Sequence, residues 1–68
     1  MELTKGKVYN VTMEYDWTLH QRAEYHSTFN RECDGAPIHN MIIRMHCGNL
    51  EMAVFTTDNI LSEAEEPV

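Results

Sequence analysis

The chain has 68 residues, enough for one hydrophobic core and too few for two. Its 43% hydrophobic and 24% charged residues are the composition of a folded domain, not of a disordered segment. Eleven Asp and Glu against five Lys and Arg give a formal charge of −6, which opposes direct binding to a phosphate backbone and suits a protein partner with a basic surface.

The polar lead-in Thr4-Lys5-Gly6-Lys7 is followed by a strand over 9–17, where every odd position is apolar or aromatic and every even one polar. The odd-inward pattern continues through Leu19, Ala23, Tyr25 and Phe29, and predicts a second strand over roughly 20–29. Two odd-inward antiparallel strands need a loop of odd length. A loop around Trp17-Thr18-Leu19 then pairs Met13 with Ala23, Val11 with Tyr25, Glu14 with Arg22 and Asn10 with His26.

Asn30 to Asn40 breaks the alternation and contains the turn formers Asp34-Gly35-Ala36-Pro37, so the longest loop is expected there, and with it a candidate functional segment. The runs Met41–Cys47 and Leu50–Thr56 flank Gly48-Asn49 and read as a tight two-residue hairpin. That register pairs Cys47 with Leu50, Met45 with Met52 and Ile43 with Val54 on the core face. It pairs His46 with Glu51, Arg44 with Ala53 and Ile42 with Phe55 on the other face.

Thr57-Asp58-Asn59 reads as a turn or one helical turn before a short final strand at Ile60-Leu61-Ser62, with a C-terminal helix from Asp58 as the competing reading. Residues 63–68 are expected as an acidic tail that frays. The expected fold is thus all-β: one domain over 1–68, a small five-stranded SH3-like or Sm-like barrel with room for a short C-terminal helical turn.

The segment Met41–Ser62, a hairpin turning at Gly48 followed by Asp58-Asn59-Ile60 and a short strand, resembles the closing half of Sm-like barrels such as the bacterial Rho-termination inhibitors of the Rof family. The resemblance covers about a third of the chain and implies an acidic barrel that blocks a nucleic-acid-binding protein by docking on it. The acidic N-terminal extension of that family is missing here, so its Rho-binding residues are not carried over. In size and charge the chain is also similar in type to small phage-encoded host-takeover or anti-defence proteins.

No run approaches the roughly 18 apolar residues of a membrane span, and the first seven residues lack the apolar stretch of a signal peptide, so a cytoplasmic protein without a membrane partner is expected. Cys33 and Cys47 are expected as free thiols there. Four histidines and two cysteines show no C-x2-C or H-x3-H spacing, and no metal or other cofactor is expected. Cys47 reads as a small core residue, and Cys33, His26 and His39 as solvated. His46 and Cys47, adjacent on a strand, point to opposite faces and cannot form a nucleophile–base pair. With no phosphate loop and no paired catalytic carboxylates, an enzyme is not expected.

What remains is a binding module. Candidate contacts for a protein partner are Tyr15 and Trp17 near the first hairpin tip, the outward pair Ile42 and Phe55, and the acidic residues Asp34 and Glu51. The alternative is an oligomeric protein that sequesters a nucleotide or other charged metabolite with Arg22, Tyr25, His26, Arg44 and His46. A homo-oligomer formed through an edge strand is the third reading.

Overall fold

Alternation of apolar and polar residues over most of the chain leaves its apolar side chains one escape from water, the concave face of a single curled sheet. The computed structural model describes residues 2–13 and 16–68, with side chains for all of these except 16–19. Five strands follow in order: β1 (Val8–Met13), β2 (Asp16–Asn30), β3 (Pro37–Arg44), β4 (Leu50–Thr56) and, after a 3-10 turn at Thr57–Asn59, β5 (Ile60–Glu63). They form one antiparallel sheet in the order β4-β3-β2-β1-β5. The fold is the expected all-β, five-stranded, barrel-like one, with the sheet left open between β4 and β5. The short 3-10 turn links these two edges and contacts β1, β3 and β4.

Tyr9, Val11, Ala23, Met41, Ile43 and Phe55 make the buried core, with Leu3, Met13, Tyr25, Ala53 and Ile60 packed around it. The odd-inward faces of β1 and of β2 at Ala23 and Tyr25 are therefore as the alternation predicts, and the side chain of Leu19 lies outside the described residues. Their register differs: Val11 lies opposite Gln21 and not Tyr25, a displacement of four residues, and Tyr9 lies opposite Ala23. An even displacement keeps the same side chains on the inner face. It arises because β2 starts at Asp16 and not near residue 20, and the ladder is irregular where Thr12 pairs with His20 and Met13 with Asp16.

Phe29 is a correction. The ladder shifts by one residue between Tyr25–Met41 and Ser27–Asn40, and beyond this bulge the inner position passes from odd to even residues. Thr28 turns inward opposite His39, and Phe29 is left 46% exposed beside Ile38.

The 30–40 loop is shorter than expected, because the β2–β3 ladder reaches Asn30–Pro37. Pro37 is tolerated as the first residue of β3, where no interior ladder bond requires its missing N–H. The remaining six residues are fastened by a two-point Arg31–Asp34 ion pair (3.0 and 2.6 Å), by Ala36 N–H donating to Asp34 Oδ1 and by Gly35 N–H donating to the Arg31 carbonyl. The Arg31 guanidinium and the Ala36 N–H hold the Asp34 carboxyl well below the usual carboxylate range.

The largest correction is in the β3–β4 hairpin. Ile43 lies opposite Glu51, not Val54, and Arg44 opposite Leu50. The turn is Met45–Asn49, closed by Met45 N–H to the Asn49 carbonyl and Gly48 N–H to the Met45 carbonyl, both 2.8 Å. Gly48 sits at φ 90°, and the Arg44 guanidinium donates to its carbonyl at 2.7 Å. A displacement of three residues, being odd, exchanges the faces of β4. Phe55 enters the core at 4% exposure, while Leu50, Met52 and Val54 point to solvent; Met45 and Cys47, also expected inside, are exposed in the turn. Ile42 and Phe55 are not partners: Ile42 faces Met52, and Phe55 faces His39.

Candidate functional site

Two surfaces follow from these registers. The first is the outer face along the edge strand β4. Leu50, Met52 and Val54 occupy alternate positions of that strand and are 55%, 53% and 53% exposed. They lie opposite Arg44, Ile42 and Asn40 of β3, and Ile42 in turn faces Glu24 of β2. The middle of the strip is therefore the apolar cross-strand pair Met52–Ile42, bordered by one cation and one anion. Among the described residues β4 pairs only with β3, so its far side carries backbone N–H and C=O groups with no described strand beside them.

The second is a cleft of about 480 Å³ at the inner mouth of the sheet, lined by Leu3, Tyr25, Thr28, His39, Thr57 and Ile60. Leu3 is brought there by the N-terminal turn, in which Lys7 N–H donates to the Thr4 carbonyl. Gly6 N–H donates to the Tyr25 carbonyl, and Tyr25 N–H to that of Lys7. Thr28 reaches the cleft because of the β2 bulge, and Thr57 because the 3-10 turn folds back under β3.

The polar groups of the cleft form one chain of contacts. Tyr25 Oη meets Thr28 Oγ1 (2.5 Å), Thr28 Oγ1 meets His39 Nδ1 (2.8 Å), and His39 Nε2 meets Thr57 Oγ1 (2.9 Å). His39, expected in solvent, is 6% exposed on β3, its ring tilted 60° to that of Tyr25 with centroids 6.2 Å apart. Burial pushes its pKa down, so the ring is neutral at pH 7.

The residues expected to meet a partner are dispersed. Ile42 lies half-buried on the outer strip, and Glu51 is exposed on β4. Phe55 is core, and Asp34 is engaged by Arg31. Tyr15 and the side chain of Trp17 lie outside the described residues.

Of the residues expected to hold a charged ligand, Tyr25 alone lines the cleft. Arg22 pairs with Glu66 and donates to the Pro67 carbonyl, which ties the C-terminal segment to β2; Arg44 is spent on Gly48. His26 Nδ1 contacts its neighbour Ser27, and His46 is exposed in the β3–β4 turn. Among the described residues, no three His, Cys, Asp or Glu side chains gather as a metal site, and Cys33 and Cys47 are exposed free thiols.

Leu50, Met52 and Val54 were legible as an alternating set, but not as an exposed one, because Ala53 and Phe55 alternate equally well on the opposite face. His39 lay inside the segment read as a loop, and its burial depends on partners from β2 and the 3-10 turn. No protein-family model, no curated protein and no solved structure matches the chain.

Proposed function

We propose that the chain is a small acidic protein-binding module that engages its partner through the β4 edge. A single observation carries this reading. Three large apolar side chains stand more than half exposed in a row on an edge strand that, among the described residues, is paired on one side only, an arrangement that a protein acting alone normally covers or interrupts with charge.

An extended segment of a partner laid along β4 would satisfy its free backbone groups and cover Met52 and its neighbours, the strand-addition mode of recognition. The net charge of −6 favours a partner with a basic surface. In biological terms we propose a cytoplasmic inhibitor of the phage type, which occupies the working surface of a basic or nucleic-acid-binding protein.

The test is affinity capture at low salt with the wild-type chain and with Met52→Glu, followed by reconstitution of the captured protein with the purified chain. A stoichiometric partner that is held by the wild type, weakened by salt and lost by Met52→Glu supports the reading. A partner retained equally by Met52→Glu removes β4 as the contact, and capture of no partner by the wild type removes the function. Sedimentation of the purified chain identifies the remaining occupant of that edge, a second copy.

A further inference from the structure

The inner cleft has a property independent of the β4 edge, visible when its hydrogens are counted. With a neutral imidazole, Tyr25, Thr28, His39 and Thr57 bring one N–H or O–H hydrogen each, and the chain Tyr25–Thr28–His39–Thr57 contains three contacts. One hydrogen is left over. The spare donor cannot be on His39, because a neutral ring has one donor nitrogen and one acceptor and both are already engaged.

If Nε2 carries the proton, it donates to Thr57, Thr28 donates to Nδ1, Tyr25 donates to Thr28, and the Thr57 hydroxyl is free to donate into the cleft. If Nδ1 carries it, Thr57 donates to Nε2 and the free hydroxyl is that of Tyr25 or Thr28. The cleft therefore offers one hydrogen-bond donor, whose position follows the imidazole tautomer, next to hydroxyl oxygens that accept.

The rest of the lining is Leu3 and Ile60, and among the described residues no Lys, Arg, Asp or Glu belongs to it. A charged ligand would lose hydration there without meeting a counter-charge, and a purely apolar one would strand the spare hydroxyl. The volume of about 480 Å³ falls within the range of small-molecule sites.

From this we infer that the cleft is a binding site for a small uncharged molecule that carries a donor-and-acceptor group, a carboxamide or hydroxyl, on a compact apolar body such as a ring. The hydroxyls of Tyr25 and Thr57 meet its polar end, and Leu3 and Ile60 its apolar body.

The experiment is an NMR titration of the full chain with three ring compounds of similar size: benzamide, benzoate and toluene. Benzamide is expected to give saturable shifts at Tyr25, Thr28, His39 and Thr57, with a Kd of about 1–10 mM for so small a compound. Benzoate and toluene are expected to bind about five- to tenfold more weakly, the worth of one or two hydrogen bonds. Thr57→Val should weaken benzamide by a similar factor, and Thr57→Ser, which keeps the hydroxyl, should restore it.

Thr57 is exposed on the 3-10 turn, and the spectrum of each variant reports whether the fold is kept. No saturable shift with benzamide up to about 50 mM, about five times the upper end of the expected Kd, overturns the proposal. So do shifts confined to other residues, toluene binding as tightly as benzamide, or benzamide binding unaffected by Thr57→Val.

Discussion

Asn59 donates from Nδ2 to Thr12 Oγ1 at 3.3 Å, and its Oδ1 accepts from both the backbone N–H and the hydroxyl of Thr56. Both Asn59 and Thr12 are 2% exposed. One buried amide thus fixes the 3-10 turn to the end of β4 and to β1, and holds the two edges of the open sheet at their observed spacing. Asn59→Ala would leave the part-buried N–H and hydroxyl of Thr56 without their shared acceptor. The expected loss is about 1–3 kcal/mol, read from urea unfolding, since a lost hydrogen bond costs about 0.5–1.5 kcal/mol and a donor left unsatisfied away from water about 1–3 kcal/mol. A midpoint within error of wild type would show that the turn is held by other contacts.

The exchanged faces of β4 give opposite expectations for neighbouring residues. Phe55→Ala opens a cavity in the core and should cost about 3–4 kcal/mol. Met52→Glu and Val54→Lys, on the exposed face, should change stability by less than about 0.5 kcal/mol. The two-residue hairpin register predicts the reverse order, so thermal melts of the three variants discriminate between the registers.

Acid should weaken the fold through His39. Its folded pKa lies below the ordinary value because burial disfavours the charged ring, so the unfolded chain takes up a proton first as pH falls. The stability contributed by the neutral ring is fully present above about pH 6.5, the unfolded value, and declines as pH drops below it toward the folded value. Urea midpoints measured between pH 7.5 and pH 5.5 should fall for wild type and fall less for His39→Gln. An identical slope in the two proteins would place the titrating group elsewhere.

Gly48 turns the β3–β4 hairpin at φ 90°, with no atom near enough to obstruct a Cβ. Gly48→Ala should therefore cost about 1 kcal/mol, from backbone strain alone, without disturbing the core. Loss of the folded spectrum on this substitution would mean that the turn, and not the core, fixes the register.

Cys33 and Cys47 are both exposed. A thiol reagent added to the native protein should modify both at rates close to that of a free cysteine, with no need for unfolding. A protected Cys47 would restore the tight two-residue turn, which buries it.

Much of this architecture is local. Alternation over Tyr9–Met13 and around Ala23 and Tyr25 of β2 specifies strands and an inner face, because successive side chains must point to opposite sides. Turn chemistry at Gly35, Gly48 and Asp58-Asn59 then locates the connections, since few residues favour those backbone conformations. Strand number and all-β class follow from these two local rules, whereas the pairing of β5 with β1, distant in the chain, does not.

Which face of β4 is buried does not follow from them. Leu50-Met52-Val54 and Ala53-Phe55 are both acceptable apolar sets, and the choice is made by the packing of Phe55, opposite His39, into the core of Tyr9 and Met41, with the five-residue turn as the connection that this register leaves. The bulge after Tyr25 similarly decides that Thr28 and not Phe29 faces inward, and so builds the polar chain of the cleft. The acidic charge and the five-stranded all-β class belong to the sequence. The exposed β4 strip and the His39 cleft belong to the tertiary structure, because a register shift of one or three residues costs little locally and is selected only by the packing of strands distant in the chain.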